Sequence, residues 1–161
     1  MNLKFDRQLK ISVGNSRRDL HWKTRVCTVG ELYDRISMPE RGAETINQYM
    51  ALKKGQQDDL KDCGGFVAGT LNSGRRKAAN VTGRDVVTLD FDTIPAYGVD
   101  AIVQAVEGLA CGYAIYSTRK HMPTAPRLRV LLPLDRTVTV DEYEPIARWQ
   151  AAQIGIQMAD P

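Results

Sequence analysis

The run Val86-Val87-Thr88-Leu89-Asp90-Phe91-Asp92 leads β-branched and aliphatic residues into two aspartates one position apart. Side chains alternate along an extended strand, so Asp90 and Asp92 share one face while Leu89 and Phe91 point to the other. A strand end running into a turn accounts for Asp92, ahead of Thr93-Ile94-Pro95, but not for Asp90 within the strand. Neighbouring carboxylates repel one another and are costly to hold away from water. A divalent cation is the usual reason to keep such a pair. The run therefore predicts a buried strand that ends in a metal site.

Outward from this strand, Pro95 marks a turn, and Ile102, Val103, Val106 and Leu109 recur at helical spacing over Val99 to about Ala110. Tyr113 to Ser117 reads as a strand. In Arg127 to Leu134, Leu128, Val130 and Leu132 alternate against Arg127, Arg129 and Leu131, which gives another strand. Thr139, with Glu142 in the first turn, caps a helix from Val140 to about Ile154. The order strand, helix, strand, strand, helix is the ferredoxin-like (RRM-like) βαββαβ pattern without its last strand. The predicted class is α+β, with an N-terminal α/β subregion ahead of that core.

The first half is less regular. Leu9 to Val13 alternates as a short strand closed by Gly14-Asn15-Ser16. Thr28 and Glu31 form a capping box for a helix through Ile36, and Glu44 to Lys54 reads as one more helix. Gly64-Gly65 opens a short apolar segment, Phe66-Val67-Ala68, and Gly69 to Asn80 reads as a small, polar, basic loop. With 161 residues, no internal repeat and no long linker, the chain is expected to form one domain, 1–161. Residues 1–80 would be its N-terminal subregion and 81–161 its core.

The formal charge of +3 permits an anionic partner without demanding one. Its distribution says more. Arg17, Arg18, Lys23 and Arg25 cluster early, Arg75, Arg76 and Lys77 stand together, and Arg119, Lys120, His121, Arg127 and Arg129 form a third group. Basic clusters around an acidic centre point to phosphate handling. Cys27, Cys63 and Cys111 are far apart and odd in number, which supports neither a disulfide framework nor a cysteine zinc site. No apolar run has the length of a membrane span and the polar N-terminus is no signal peptide, so a reducing cytoplasm is expected.

The residues bear on two other chemistries. Leu89-Asp90-Phe91-Asp92-Thr93 fits the opening motif of haloacid-dehalogenase-like phosphatases, but that fold needs a parallel sheet and later lysine and aspartate motifs. Gly69 and Gly74 have the spacing of a phosphate loop, yet Arg75-Arg76 replaces its Lys-Ser/Thr pair. That loop would reach phosphates through Arg75, Arg76 and Lys77 instead. His121 follows a strand, lies in basic company and precedes Pro123 and Pro126, which is no setting for a core histidine. With Ser117, Arg127 and Arg129 it is expected to contact phosphate.

Three segments, read in order, resemble the catalytic domain of archaeo-eukaryotic primases, in particular the primase-polymerases of phages, prophages and plasmids. They are Thr88-Leu89-Asp90-Phe91-Asp92, Tyr116-Ser117-Thr118-Arg119-Lys120-His121, and Pro126-Arg127-Leu128-Arg129-Val130-Leu131-Leu132-Pro133-Leu134. Ala159-Asp160 stands where the family has a hydrophobic residue followed by aspartate. The likeness covers residues 60 to 161 best, and Lys61-Asp62 and Gly64-Gly65-Phe66 more loosely. Two departures are visible: Arg119 stands two before His121, where the family has serine, and alanine precedes Asp160.

The resemblance implies an enzyme, a nucleotidyltransferase that synthesises primers or DNA from NTPs or dNTPs on a single-stranded DNA template. Asp90, Asp92 and Asp160 would be catalytic and hold two Mg²⁺ or Mn²⁺ ions. Ser117, Lys120, His121, Arg127 and Arg129 would bind the nucleotide. Arg75, Arg76, Lys77, Arg17 and Trp22 would contact the template. The resemblance further implies a longer parent protein and a fused or separate helicase. The competing expectation is a non-catalytic nucleic-acid-binding module of a replication initiator, since a scaffold of this kind does not by itself confer chemistry.

Overall fold

The computed structural model describes residues 3–155 and 159–160. The chain divides between Thr82 and Gly83 into two compact units.

In the first unit, β1 (Gln8–Gly14) pairs antiparallel with β2 (Lys23–Thr28) and with β3 (Gly65–Val67), giving the order β2-β1-β3. The alternation expected for β1 is present: Leu9 and Ile11 are buried while Gln8 and Lys10 are exposed. β2 has no signature in the sequence. Lys23 to Val26 are all exposed, so no apolar period marks them, and the strand forms because β1 offers it a ladder.

Helix α1 (Val29–Ser37) begins at Thr28, whose hydroxyl accepts from the Glu31 N–H at 3.1 Å while Glu31 accepts from the Thr28 N–H at 2.8 Å. The single helix expected over Glu44–Lys54 is corrected to two, α2 (Ile46–Ala51) and α3 (Lys54–Leu60). Leu52 is extended, with ψ 152°, and Gln57 explains the break. Its buried amide donates to the Leu52 C=O at 2.9 Å and the Met50 C=O at 3.4 Å, satisfying carbonyls that a continuing helix would have used.

The loop expected over Gly69–Asn80 is also corrected. It contains β4 (Gly69–Leu71) and a 3-10 turn at Ala78–Asn80. The Asn72 N–H donates to the Asn80 C=O at 2.9 Å, closing the segment at its base.

The second unit holds β5 (Val81–Phe91) from Gly83 onward, α4 (Val99–Glu107), β6 (Ala114–Ser117), β7 (Leu128–Val138), α5 (Val140–Ile154) and β8 (Ala159–Asp160). Among these strands pairing runs β8-β5-β7-β6, antiparallel throughout, and β5 also neighbours β4 in the same five-stranded sheet. That is the ferredoxin-like arrangement, and the chain is α+β. The last strand, expected to be missing, is therefore present as β8, with Asp160 in register opposite Asp90. It eluded the sequence reading because a strand of two residues has no period to detect.

Val87, Leu89 and Phe91 on β5 are fully buried, as is Val130 on β7. They pack with Leu128, Leu132, Ile102 and Val106 of α4, and Ala147, Ala151 and Ile154 of α5. Each of the valine, leucine, isoleucine and phenylalanine side chains contributes about 1.5–3 kcal/mol by burial. Both helices thus cover one face of the sheet, and the alternate residues of β5 belong to the other.

Candidate functional site

The face away from α4 and α5 carries the polar residues. Register places a row across it, Asp90 on β5, Arg129 on β7 and Tyr116 on β6, with the backbone of Asp160 on β8 opposite Asp90. Facing residues of an antiparallel pair point to the same side, which brings an acidic and a basic strand end together.

Arg129 grips Asp90 with both arms of the guanidinium, Nε to one carboxylate oxygen and Nη2 to the other at 2.8 Å. Arg127 reaches Asp92 at 2.9 Å. Asp90 therefore meets an arginine of β7 and Asp92 the arginine just before that strand, and the four formal charges cancel. Planar, bidentate pairing of this kind is stronger than a single contact to a point charge. The Asp90 carboxylate, more than the Tyr116 hydroxyl, holds the Arg129 guanidinium charged far above its ordinary range.

The loop from β6 to β7 is ordered by a continuing ladder. The Thr118 N–H donates to the Arg127 C=O at 3.1 Å, and Met122 and Ala125 pair beyond it. His121 is fixed against this ladder: its Nδ1 accepts from the Arg127 N–H at 3.2 Å. With Nδ1 so used, the neutral ring carries its proton on Nε2, the nitrogen left for a ligand. The same Nδ1 lies 3.2 Å from the Arg127 C=O, the contact that the other tautomer, with its proton on Nδ1, makes. His121 thus meets the backbone of Arg127, one of the two arginines expected beside it, and Arg129 stands two positions further along the same segment.

Ser117 is not. It pairs with Leu128, whose side chain belongs to the helix-covered core, so Ser117 falls on the opposite face from Asp90 and Arg129. Tyr116 and Thr118 take the positions beside Arg129 and Arg127. Period two along this segment, once paired with Arg127 and Arg129, would have selected them from the sequence. Lys120 lies half-buried in the turn after Thr118.

The carboxylate oxygens of Asp90 and Asp92 are the donor type that hard divalent cations take, and their side chains are 38% and 51% exposed. In donor chemistry they fit such an ion. Among the described residues no group of three or more His, Cys, Asp or Glu comes together, and the Asp160 side chain lies outside the described residues.

In the first unit, Arg75, Arg76 and Lys77 are exposed near the tip of the segment after β4. Trp22 is not an exposed stacking surface: only 4% of it is accessible, and Arg76 lies 5.3 Å from its ring centroid. Arg17 is engaged internally, 3.3 Å from Asp58 and 3.2 Å from Asp59. Hydrogen bonds from the Ser16 hydroxyl and the Arg17 N–H hold the Asp62 carboxyl below its usual range. Part of the early basic cluster thus neutralises the acidic helix α3.

A family model described as the VapE N-terminal domain matches residues 1–161. The chain belongs to that family. The VapE N-terminal domain is the leading part of VapE-like proteins of phages and plasmids. Comparison with curated proteins gave no match, and neither did comparison with solved structures. Among the described residues of this VapE N-terminal domain, no helix is long and apolar enough to cross a membrane.

Proposed function

We propose that this VapE N-terminal domain handles nucleoside triphosphates in phage or plasmid DNA replication, as a metal-dependent nucleotidyltransferase of the primase-polymerase kind. The observation that carries the reading is the row of Asp90, Arg129 and Tyr116, with Asp92–Arg127 beside it and His121 fixed on the Arg127 backbone. Mg²⁺ or Mn²⁺, when bound, would activate the attacking hydroxyl and neutralise the leaving pyrophosphate. The protein's part follows from its side chains. Asp90, Asp92 and Asp160 supply the acidic oxygens, Arg127 and Arg129 turn to phosphate oxygens, and His121 offers Nε2–H to them. Arg75, Arg76 and Lys77 supply positive charge for a single-stranded template.

Two exchangeable ion pairs are central here. In the free protein the guanidinium groups satisfy the carboxylates; with metal and triphosphate bound, each would trade its partner for a ligand of the same charge type. The test is incorporation of labelled nucleotide on a primed or unprimed single strand with Mn²⁺. Asp90→Ala and Asp92→Ala are expected to abolish it while leaving circular dichroism unchanged, and full activity in either variant would refute the assignment.

A second reading, a nucleic-acid-binding module without chemistry, draws on one observation: both carboxylates are already neutralised by arginine. Metal-independent DNA binding with no Mn²⁺-dependent nucleotide binding would favour it. The phosphatase reading lacks its scaffold, because β5 pairs antiparallel with both β7 and β8.

A further inference from the structure

Pro95 to Gly98 form a turn between β5 and α4, closed by the Gly98 N–H donating to the Pro95 C=O at 2.9 Å. Tyr97 sits in it with φ 62°. That is the left-handed region, which glycine enters freely and a bulky side chain enters only under strain. Burial does not compensate for the strain, since Tyr97 is 75% exposed. What fixes it is a tether: its N–H donates to the Pro123 C=O at 2.9 Å. Pro123 belongs to the hairpin in which Met122 pairs with Ala125 and from which His121 meets the Arg127 backbone. The connection after Asp92 and the hairpin holding His121 are thereby locked together, with an aromatic ring presented to solvent at the junction. Non-glycine residues kept in such conformations cluster at ligand sites.

We propose that Tyr97 is the stacking surface of a nucleobase subsite beside the His121–Arg127 phosphate contacts. This rests on the triphosphate reading above. Every base has a π face, so one fixed ring serves all of them without selecting among them, which suits an enzyme that must accept each nucleotide in turn. The phosphate contacts and the ring come from the two loops that the Tyr97–Pro123 hydrogen bond joins. The base has two possible sources, the incoming nucleotide or the single strand.

The experiment measures binding of the full chain, with Mn²⁺, to a nucleoside triphosphate, to inorganic tripolyphosphate, and to a single-stranded oligonucleotide with and without its bases. Three proteins are compared: wild type, Tyr97→Phe and Tyr97→Gly. Glycine relieves the φ strain, so that variant loses the ring without loss of the turn, and thermal melting confirms its fold. Tyr97→Gly is expected to weaken nucleoside triphosphate binding about fivefold to a hundredfold and leave tripolyphosphate unchanged. Tyr97→Phe is expected to bind as wild type. A loss confined to the base-containing oligonucleotide would assign the ring to a base of the strand. Equal affinity of all three proteins for every ligand overturns the subsite and spares the phosphate site. A wild-type protein that binds none of these ligands overturns both.

Discussion

At the scale of single residues, the Asp90–Arg129 pair makes the clearest prediction, because the guanidinium competes with any cation for the same oxygens. Arg129→Gln is expected to raise the affinity for Mn²⁺ alone about tenfold, while lowering the affinity for the triphosphate. Titration calorimetry, or paramagnetic resonance of free Mn²⁺, reads both. Equal weakening of the two would mean that Arg129 merely holds the site together. The aspartate pair was legible in the sequence because two carboxylates at strand spacing have few bland explanations. The partners of these aspartates were less so. Arg127 and Arg129 were placed on one face, but whether they would meet phosphate or carboxylate depends on register, and periodicity along one strand does not give register with another. Ser117 shows the consequence: a shift of one position against Leu128 carries it to the other side of the sheet.

At the scale of elements, capping residues were the surest guide, since an N-cap is a local hydrogen bond needing no tertiary information. Thr28 and Thr139 start α1 and α5 as expected. The second of these carries a pH dependence. Hydrogen bonds from Arg136 foremost, and then from the Thr139 backbone, bring the Glu142 carboxyl from an ordinary 4.5 down to about 2. A depressed folded pKa stabilises above the unfolded value and loses that contribution as pH falls through the folded one. The melting temperature is therefore expected to decline from about pH 4.5 toward pH 2 partly through Glu142, and Glu142→Gln should flatten that part of the curve. The break between α2 and α3 was illegible for the opposite reason. It rests on Gln57, whose amide reaches back to two carbonyls of the preceding helix end. Gln57→Leu strands those acceptors and is expected to cost about 1–3 kcal/mol in chemical denaturation. β2 and β4 escaped for want of an apolar pattern, the first being exposed and the second only three residues long.

At the scale of the whole molecule, the second unit was readable because its core obeys two simple periods at once. Val87, Leu89 and Phe91 alternate in strand fashion, while Ile102 and Val106 recur in helical fashion, and all five are fully buried. Leu89→Ala at the centre of that cluster is expected to cost about 2–5 kcal/mol, measured as a shift in the urea midpoint. Ligands should act in the other direction. A triphosphate with Mn²⁺ at about a hundred times its dissociation constant adds about 2.7 kcal/mol, which hydrogen exchange at Val86–Phe91 would register as slower opening. Metal alone, opposed by the two arginines, should give a smaller gain.

The short pairing of Ala159 and Asp160 with Phe91 and Asp90 bears on how this protein should be cut for experiments. A truncation ending at Gly155 would strip the outer neighbour from the very stretch of backbone that holds the acidic pair. Unsatisfied amide and carbonyl groups left there invite a foreign chain to dock in place of the missing tail. Such a product would be prone to self-association, and silence in an assay of it would report a frayed margin rather than a protein without chemistry.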